Sequence, residues 1–187
     1  TVDTVGGRQQ VIDARCTGTL FRGFENILKG RDPKDATMLT ERICGVCPVS
    51  HGMASTLALE SAAKKTVPTN ARILRNLVLG ANFLQSHILH FYLLAALDYM
   101  QGPKDQSGKV SAPWAPHWDI DMRGGLDSIG SHLGGAIEAR RRAHEMGAIF
   151  GGKLPNPASF IAGGITAVPN SSRITAFRSH LTWLRSF

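Results

Sequence analysis

The stretch NARILRNLVLGANFLQSHILHFYLLAALDYM, residues 70–100, decides the fold. Ile73, Leu74, Leu77 and Val78 set one apolar stripe at helical spacing. Beyond Phe83 the apolar residues encircle the axis, the pattern of a helix buried on all sides. One helix over this span would be ~45 Å long at 1.5 Å per residue. Such a helix belongs at the centre of a domain larger than 187 residues.

Working outward, Pro68-Thr69 punctuates the chain before this helix, and Thr69 suits a capping position. An Ala- and Leu-rich helix is predicted from about Gly52 to Lys65. Asp32 followed by Pro33 is an N-cap with Pro at the first helical position, opening a helix to about Ile43. Thr17 to Gly30 reads as a loop entering a short helix, with Gly30 at its C-cap. Val2 to Ile12, with Gly6-Gly7 between strand-like runs, reads as a β-hairpin. On the other side, Gly102 to Gly125 reads as irregular, and Leu126 to Phe150 as helix with Gly134-Gly135 marking close packing. Lys153 to Asn170 is loop with room for a short strand, and Ser171 to Phe187 begins another helix. The expected fold is mainly α with a small N-terminal β-hairpin. Because Thr1 falls inside a strand reading and Phe187 inside a helix reading, residues 1–187 are expected to be part of one domain cut at both ends.

Hydrophobic residues at 43% and charged residues at 19% indicate a globular chain rather than a disordered one. The longest unbroken apolar run, Phe91 to Leu97, falls far short of the ~20 residues that span a bilayer, so no transmembrane segment is expected. No secretory signal pattern opens the chain. The net charge of +7 raises nucleic acid as a partner, but the only tight basic cluster is Arg140, Arg141 and Arg142, with no interleaved aromatics. That cluster reads as a solvated helix face or a contact with an acidic partner. Three cysteines, Cys16, Cys44 and Cys47, are too few for a disulfide framework.

The chemistry is concentrated in Arg42-Ile43-Cys44-Gly45-Val46-Cys47-Pro48-Val49-Ser50-His51. Two thiols three residues apart on a helical turn point to one side and can hold one metal. Arg42 adds positive charge that favours the thiolate, and His51 is within reach as a hydrogen-bond donor to sulfur. Soft thiolates select nickel, iron, zinc or copper(I). Other readings of a lone CxxC stay open. A redox dithiol wants a preceding strand in a βαβ unit, whereas helix precedes this one. Structural zinc wants four ligands, and only Cys16 and His51 remain to complete a Cys3His set. A four-cysteine iron–sulfur cluster is out of reach for three cysteines. Buried structural thiols are the last alternative.

The segment Arg42-Ile-Cys44-Gly-Val-Cys47-x-x-x-His51 resembles the N-terminal signature of nickel–iron hydrogenase large subunits. Gly18-Thr-Leu-Phe-Arg22-Gly-Phe-Glu25 and Leu28-Lys-Gly30-Arg-Asp32-Pro33 resemble the family's preceding segment. His87-Ile-Leu-His90-Phe-Tyr-Leu-Leu-Ala-Ala-Leu-Asp98 resembles its long central helix, and Pro157 to Thr166 a later loop. Phe83-Leu-Gln-Ser-His87, where many relatives carry an Asp near Ser86, and Leu154 to Phe160 point to the nickel–iron–selenium branch. The selenocysteine of that branch sits in a C-terminal motif outside this chain.

The resemblance implies a helical-bundle fold and reversible oxidation of H2 to protons and electrons at a thiolate-bridged nickel–iron centre with small diatomic ligands on iron. It implies Cys44 as the terminal thiolate on nickel, Cys47 as a thiolate bridging nickel and iron, and His51 beside the bridging sulfurs. It also implies Glu25 as a carboxylate of a separate metal site, usually magnesium, in keeping with hard-ligand preference. An iron–sulfur small subunit is the implied partner, and the implied location is periplasmic or membrane-associated, with the cytoplasm left open. The family's second cysteine pair and terminal histidine are not in this sequence, nor is the acidic stretch of its first strand. The chain by itself is therefore expected to be inactive. Two competing classes are a complex I-like relative, which has lost the metal-binding cysteines, and a zinc-stabilised interaction domain. Cys16 has no ligand role by resemblance and reads as a small buried residue. His87 and His90 read as buried and hydrogen-bonded, and Asp98 and Arg123 as structural.

Overall fold

The computed structural model describes residues 2–99, 106–108 and 127–187. The irregular stretch read over 102–125, including Arg123, lies outside them apart from 106–108. The fold is mainly helical and begins with the expected hairpin, β1 (Val2–Val5) antiparallel to β2 (Arg8–Val11), with Val5 opposite Arg8. Gly6 and Gly7 both adopt positive φ, 60° and 79°, the backbone that a two-residue hairpin turn of this hand demands.

A short helix α1 (Phe24–Leu28) follows, and Gly30 at φ 78° ends that turn as expected. Asp32 caps the next segment by accepting from the Lys34 N–H at 2.9 Å, with Pro33 just behind it. That segment is not one helix. It is a 3-10 turn at Pro33–Asp35, α2 (Ala36–Thr40) and a second 3-10 turn at Glu41–Ile43. The next helix, α3 (Pro48–Ala62), starts four residues earlier than the Gly52 read from sequence, because Pro48 occupies its first turn.

The long helix α4 runs Thr69–His90, then loosens into a π turn at Phe91–Ala95 and a 3-10 turn at Ala96–Tyr99. It packs mainly on α5 (Leu133–Gly151), which in turn packs on α6 (Ser171–Ser186). A two-residue hairpin, β3 (Phe160–Ile161) against β4 (Gly164–Ile165), lies in the loop between α5 and α6. Val49, Met53, Leu74, Val78, Ala81, Met146, Phe150, Phe160 and Phe177 form the core, drawn from α3 to α6. The closest helix approach falls at Gly147, while of the Gly134-Gly135 pair only Gly135 packs closely, a Cβ there standing 3.2 Å from the Phe187 ring. A Cβ on Gly147 would run into Leu154 and sit 3.1 Å from the Ala81 Cβ, whereas Gly134 faces open space.

The second half of α4 and the π turn after it depart from the expected burial on all sides. Phe83 is 49% exposed, Phe91 44% and Leu94 57%, because among the described residues α5 covers one side of the helix only. The span Thr69–Tyr99, 31 residues with a mean hydropathy of 1.3 in its most apolar window, has the length and composition of a membrane span. The short run Phe91 to Leu97 understated this, and a core helix of a soluble protein meets the same criteria.

One ion pair stitches three elements together inside the core. The Arg75 guanidinium on α4 meets the Glu60 carboxylate of α3 at 2.6 and 3.2 Å. It also donates to the carbonyls of Ile161 and Gly164, while the Gly163 N–H donates to Glu60 at 2.7 Å. Every polar group the pair brings inside therefore has a partner, the condition under which a buried charge pair is tolerated.

Candidate metal centre

The 3-10 turn at Glu41–Ile43 ends at Cys44, which is extended (φ −140°, ψ 135°). The chain then bends through Gly45 and Val46 and reaches Cys47, the N-cap of α3. The two thiols therefore do not lie on a helical turn, as the i, i+3 spacing suggested. They flank a bend that leads into a helix N-terminus. The bend achieves what the helical turn was expected to do, since the Cys47 N–H reaches back to the Cys44 Sγ at 3.2 Å. His51 lies one turn into α3, its own N–H directed at the Cys47 carbonyl. One donor atom from each of Cys44, Cys47 and His51 falls within 4.8 Å of the others, all three half-buried. No other group of three or more His, Cys, Asp or Glu side chains comes so close among the described residues.

The two sulfurs differ in acidity. Burial works against ionising Cys44, but the Cys47 thiol, the N–H groups of Cys47 and Val46, and the Arg22 charge outweigh it, so its pKa is lowered. Burial pushes Cys47 up to about 11, helped by its donation to Cys44 and by the Cys44 charge. The cation that acts here is Arg22 rather than Arg42. Arg22 Nη1 donates to the Ile43 carbonyl at 2.6 Å and its guanidinium lies over Phe24, whereas Arg42 sits 3.8 Å from Glu41 and is largely exposed.

Two further side chains bear on this bend without having been singled out by pattern. Gln85 of α4, 1% exposed, donates from Nε2 to the Val46 carbonyl at 2.7 Å and to Asn82 Oδ1 at 3.1 Å. Glu41, 2% exposed, has its pKa pushed up to about 7 by burial, against the opposing charges of Arg42 and Lys153. Its Oε1 has no hydrogen-bond partner and lies where a Cβ on Gly52 would stand 2.8 Å away. The adjacency of Glu41 to the Arg42–Cys47 motif was the only sequence signal for it.

The remaining candidates stand apart. Glu25 is exposed in the first turn of α1 and belongs to no cluster among the described residues. Cys16 is exposed rather than buried, because residues 12–22 run over the surface, and it does not join the thiol pair. A Cys3His zinc set therefore does not assemble. His87 and His90 are exposed rather than buried, with His87 Nδ1 2.8 Å from the Phe83 carbonyl. Two of the three clustered arginines are charge-compensated on the helix face. Arg141 pairs with Glu138 and Glu145, and Arg142 pairs with Glu138 and covers the Trp183 ring.

As a donor set, two thiols and an imidazole fit a soft or borderline metal. Three donors fall short of the closed tetrahedral set of structural zinc and leave coordination positions for groups from elsewhere. Residues 22–108, which contain Arg22, Glu25, both site cysteines, His51 and all of α4, match the sequence profile of the nickel-dependent hydrogenases. Over this segment the chain is similar to that family. It is 42% identical over 190 residues to the periplasmic [NiFeSe] hydrogenase large subunit of Desulfomicrobium baculatum, covering 95% of this chain and 36% of that one. It is 30% identical over 220 residues to the hydrogenase-2 large chain of Escherichia coli K12, covering 95% and 39%. The structure of the Ni-Fe-Se hydrogenase from Desulfovibrio vulgaris Hildenborough in the reduced state superimposes with a TM-score of 0.80 at 43% identity, over 100% of this chain and 38% of that one. The chain thus spans somewhat over a third of the length of these hydrogenases. Both site cysteines are present, unlike in the complex I-like alternative.

Proposed function

We propose that this chain contributes the Cys44–Cys47 half of the metal centre of a hydrogenase large subunit, residues 1–187 forming the N-terminal part of one large-subunit domain. The complete protein on this reading oxidises H2 reversibly to protons and electrons. The observation that carries it is the convergence of Cys44, Cys47 and His51 within 4.8 Å, inside the segment that matches the family profile.

A nickel–iron centre with small diatomic ligands on iron would supply the Lewis acidity for heterolytic cleavage of H2. Cys44, the more readily ionised thiol, would hold nickel as a thiolate and would offer a base beside it for the released proton. Cys47 would hold the metals together with Cys44 and would lose its proton on binding them. His51, with a ring nitrogen within 4.8 Å of both site sulfurs, would steady them by hydrogen bonding. Glu25, exposed and carboxylate-bearing, is the proposed ligand of a separate magnesium or similar hard cation. Electrons leave through an iron–sulfur small subunit, since three cysteines cannot carry such a relay. Greater identity to the nickel–iron–selenium relative, 42% against 30% for hydrogenase-2, supports the selenium branch and a periplasmic location.

Metal analysis of the complete protein tests the reading. Nickel together with iron, lost when Cys44 and Cys47 are replaced by serine, is the expected result. Zinc alone, or no metal, overturns it.

A further inference from the structure

We propose that Gln85 is a positioning residue for the metal centre, aiming the Cys47 peptide N–H at the Cys44 sulfur from the far side of the bend. The proposal rests on the metal-site reading above and deepens it. The Val46 carbonyl and the Cys47 N–H belong to one peptide unit, which is planar and trans, so they point in opposite directions. Gln85 Nε2 holds the carbonyl end at 2.7 Å, and the N–H end reaches Cys44 Sγ at 3.2 Å. Fixing one end of the plane fixes the other.

The orientation of the amide is itself determined. Nε2 faces two acceptors, the Val46 carbonyl and Asn82 Oδ1 at 3.1 Å, and a flipped amide would set oxygen against oxygen at both. Gln85 and Asn82 are 1% and 2% exposed, on the face of α4 that carries Val78 and Ala81. Burying two amides is costly unless they are bonded. Gln85 Oε1 accepts no hydrogen bond among the described residues, so the side chain is held here by its donor end alone. The helix that organises the core thereby also sets the direction of a hydrogen bond to a metal-binding sulfur, and an N–H on a thiolate sulfur tunes the metal it binds.

The test uses the complete enzyme that contains this chain. Gln85→Met keeps the length and removes the donor, Val78→Ala weakens the same helix without touching the bend, and Cys44→Ser removes the ligand. Nickel content, resistance of nickel to a chelator, and the nickel–sulfur shell by X-ray absorption are measured beside thermal stability. Gln85→Met is expected to alter the nickel–sulfur shell and to weaken nickel retention about 10–100-fold, the usual range for partners of metal ligands. Val78→Ala is expected to lower stability and leave the shell unchanged. The proposal is overturned if Gln85→Met leaves shell and retention as in wild type, or if Val78→Ala alters them as much. Should Gln85→Met not fold, Asn82→Ala, which removes only the acceptor that holds Nε2, replaces it: a smaller shift in the same direction supports the proposal and no shift overturns it. If Gln85→Met is silent while Cys44→Ser loses nickel, positioning fails and the metal site stands. If Cys44→Ser also keeps the wild-type nickel shell, the metal-site reading itself fails.

Discussion

Replacing Arg75 by Met takes the cation out of a charge pair whose side chains are 3% and 6% exposed. The Glu60 carboxylate is then left inside with only the Gly163 N–H, and the Ile161 and Gly164 carbonyls lose their donor. Removing one partner of a buried pair costs ~3–5 kcal/mol. At roughly 2–4 °C per kcal/mol for a chain of this size, the melting temperature falls by about 6–20 °C. The double variant Arg75→Met/Glu60→Leu should recover part of that loss, because no charge is then stranded. The pH dependence gives an independent check. Burial acts to raise the Glu60 pKa, but Arg75 and the Gly163 N–H outweigh it, and the net shift is downward. The resulting stabilisation is complete above the ordinary value of 4.5 and is lost as pH falls through the folded-state pKa. In Arg75→Met burial prevails, so that acid-side loss should disappear. Thermal and denaturant unfolding of wild type, both single variants and the double variant would decide. A loss below about 1 kcal/mol in Arg75→Met, or strict additivity in the double variant, would refute the argument that this pair locks α3, α4 and the β3–β4 hairpin together.

Cys47→Ser should abolish the assembled centre, Cys44→Ser should remove nickel with iron less affected, His51→Ala should cost about 10–100-fold, and Cys16→Ser should be nearly silent. Hydrogen uptake and metal content measured side by side give the ranking, and an effect of Cys16→Ser as large as that of Cys44→Ser would contradict it. Glu41, raised from 4.5 to about 7, keeps its proton in the folded chain after the unfolded chain has lost it. Its contribution is therefore present below pH 4.5 and is lost as pH rises to about 7, on the order of 3 kcal/mol at 1.36 kcal/mol per unit. Glu41→Gln should flatten that part of the profile and be the more stable protein at pH 8, and identical profiles would falsify the assignment. Gly147→Ala should destabilise by about 1–3 kcal/mol through overpacking against Leu154 and Ala81, although alanine in a helix is intrinsically better by roughly 1 kcal/mol. A gain in melting temperature would mean that α4 and α5 can separate there at no cost.

Local chemistry was legible in the sequence wherever a residue imposes its own geometry. Gly6-Gly7 dictated the hairpin turn, Asp32-Pro33 the capped start, and the apolar stripe from Ile73 to Val78 the long helix. The site was legible too as a composition, since Cys44, Cys47 and His51 lie within eight residues and no distant segment was needed to find them. Tertiary structure decided what depends on neighbours in space. Pro48 and the bend before it put the thiols at a helix N-terminus rather than on a helical turn, and Arg22, from 22 residues upstream, is the cation that acts on Cys44. Gln85 reaches the bend from 39 residues away, and Arg75 reaches the β3–β4 hairpin from nearly 90. No periodicity reports such pairs, because each is a hydrogen bond between polar groups that sequence alone would assign to solvent. The same reason explains Glu41, which pattern reads as an exposed charge and packing turns into a buried acid.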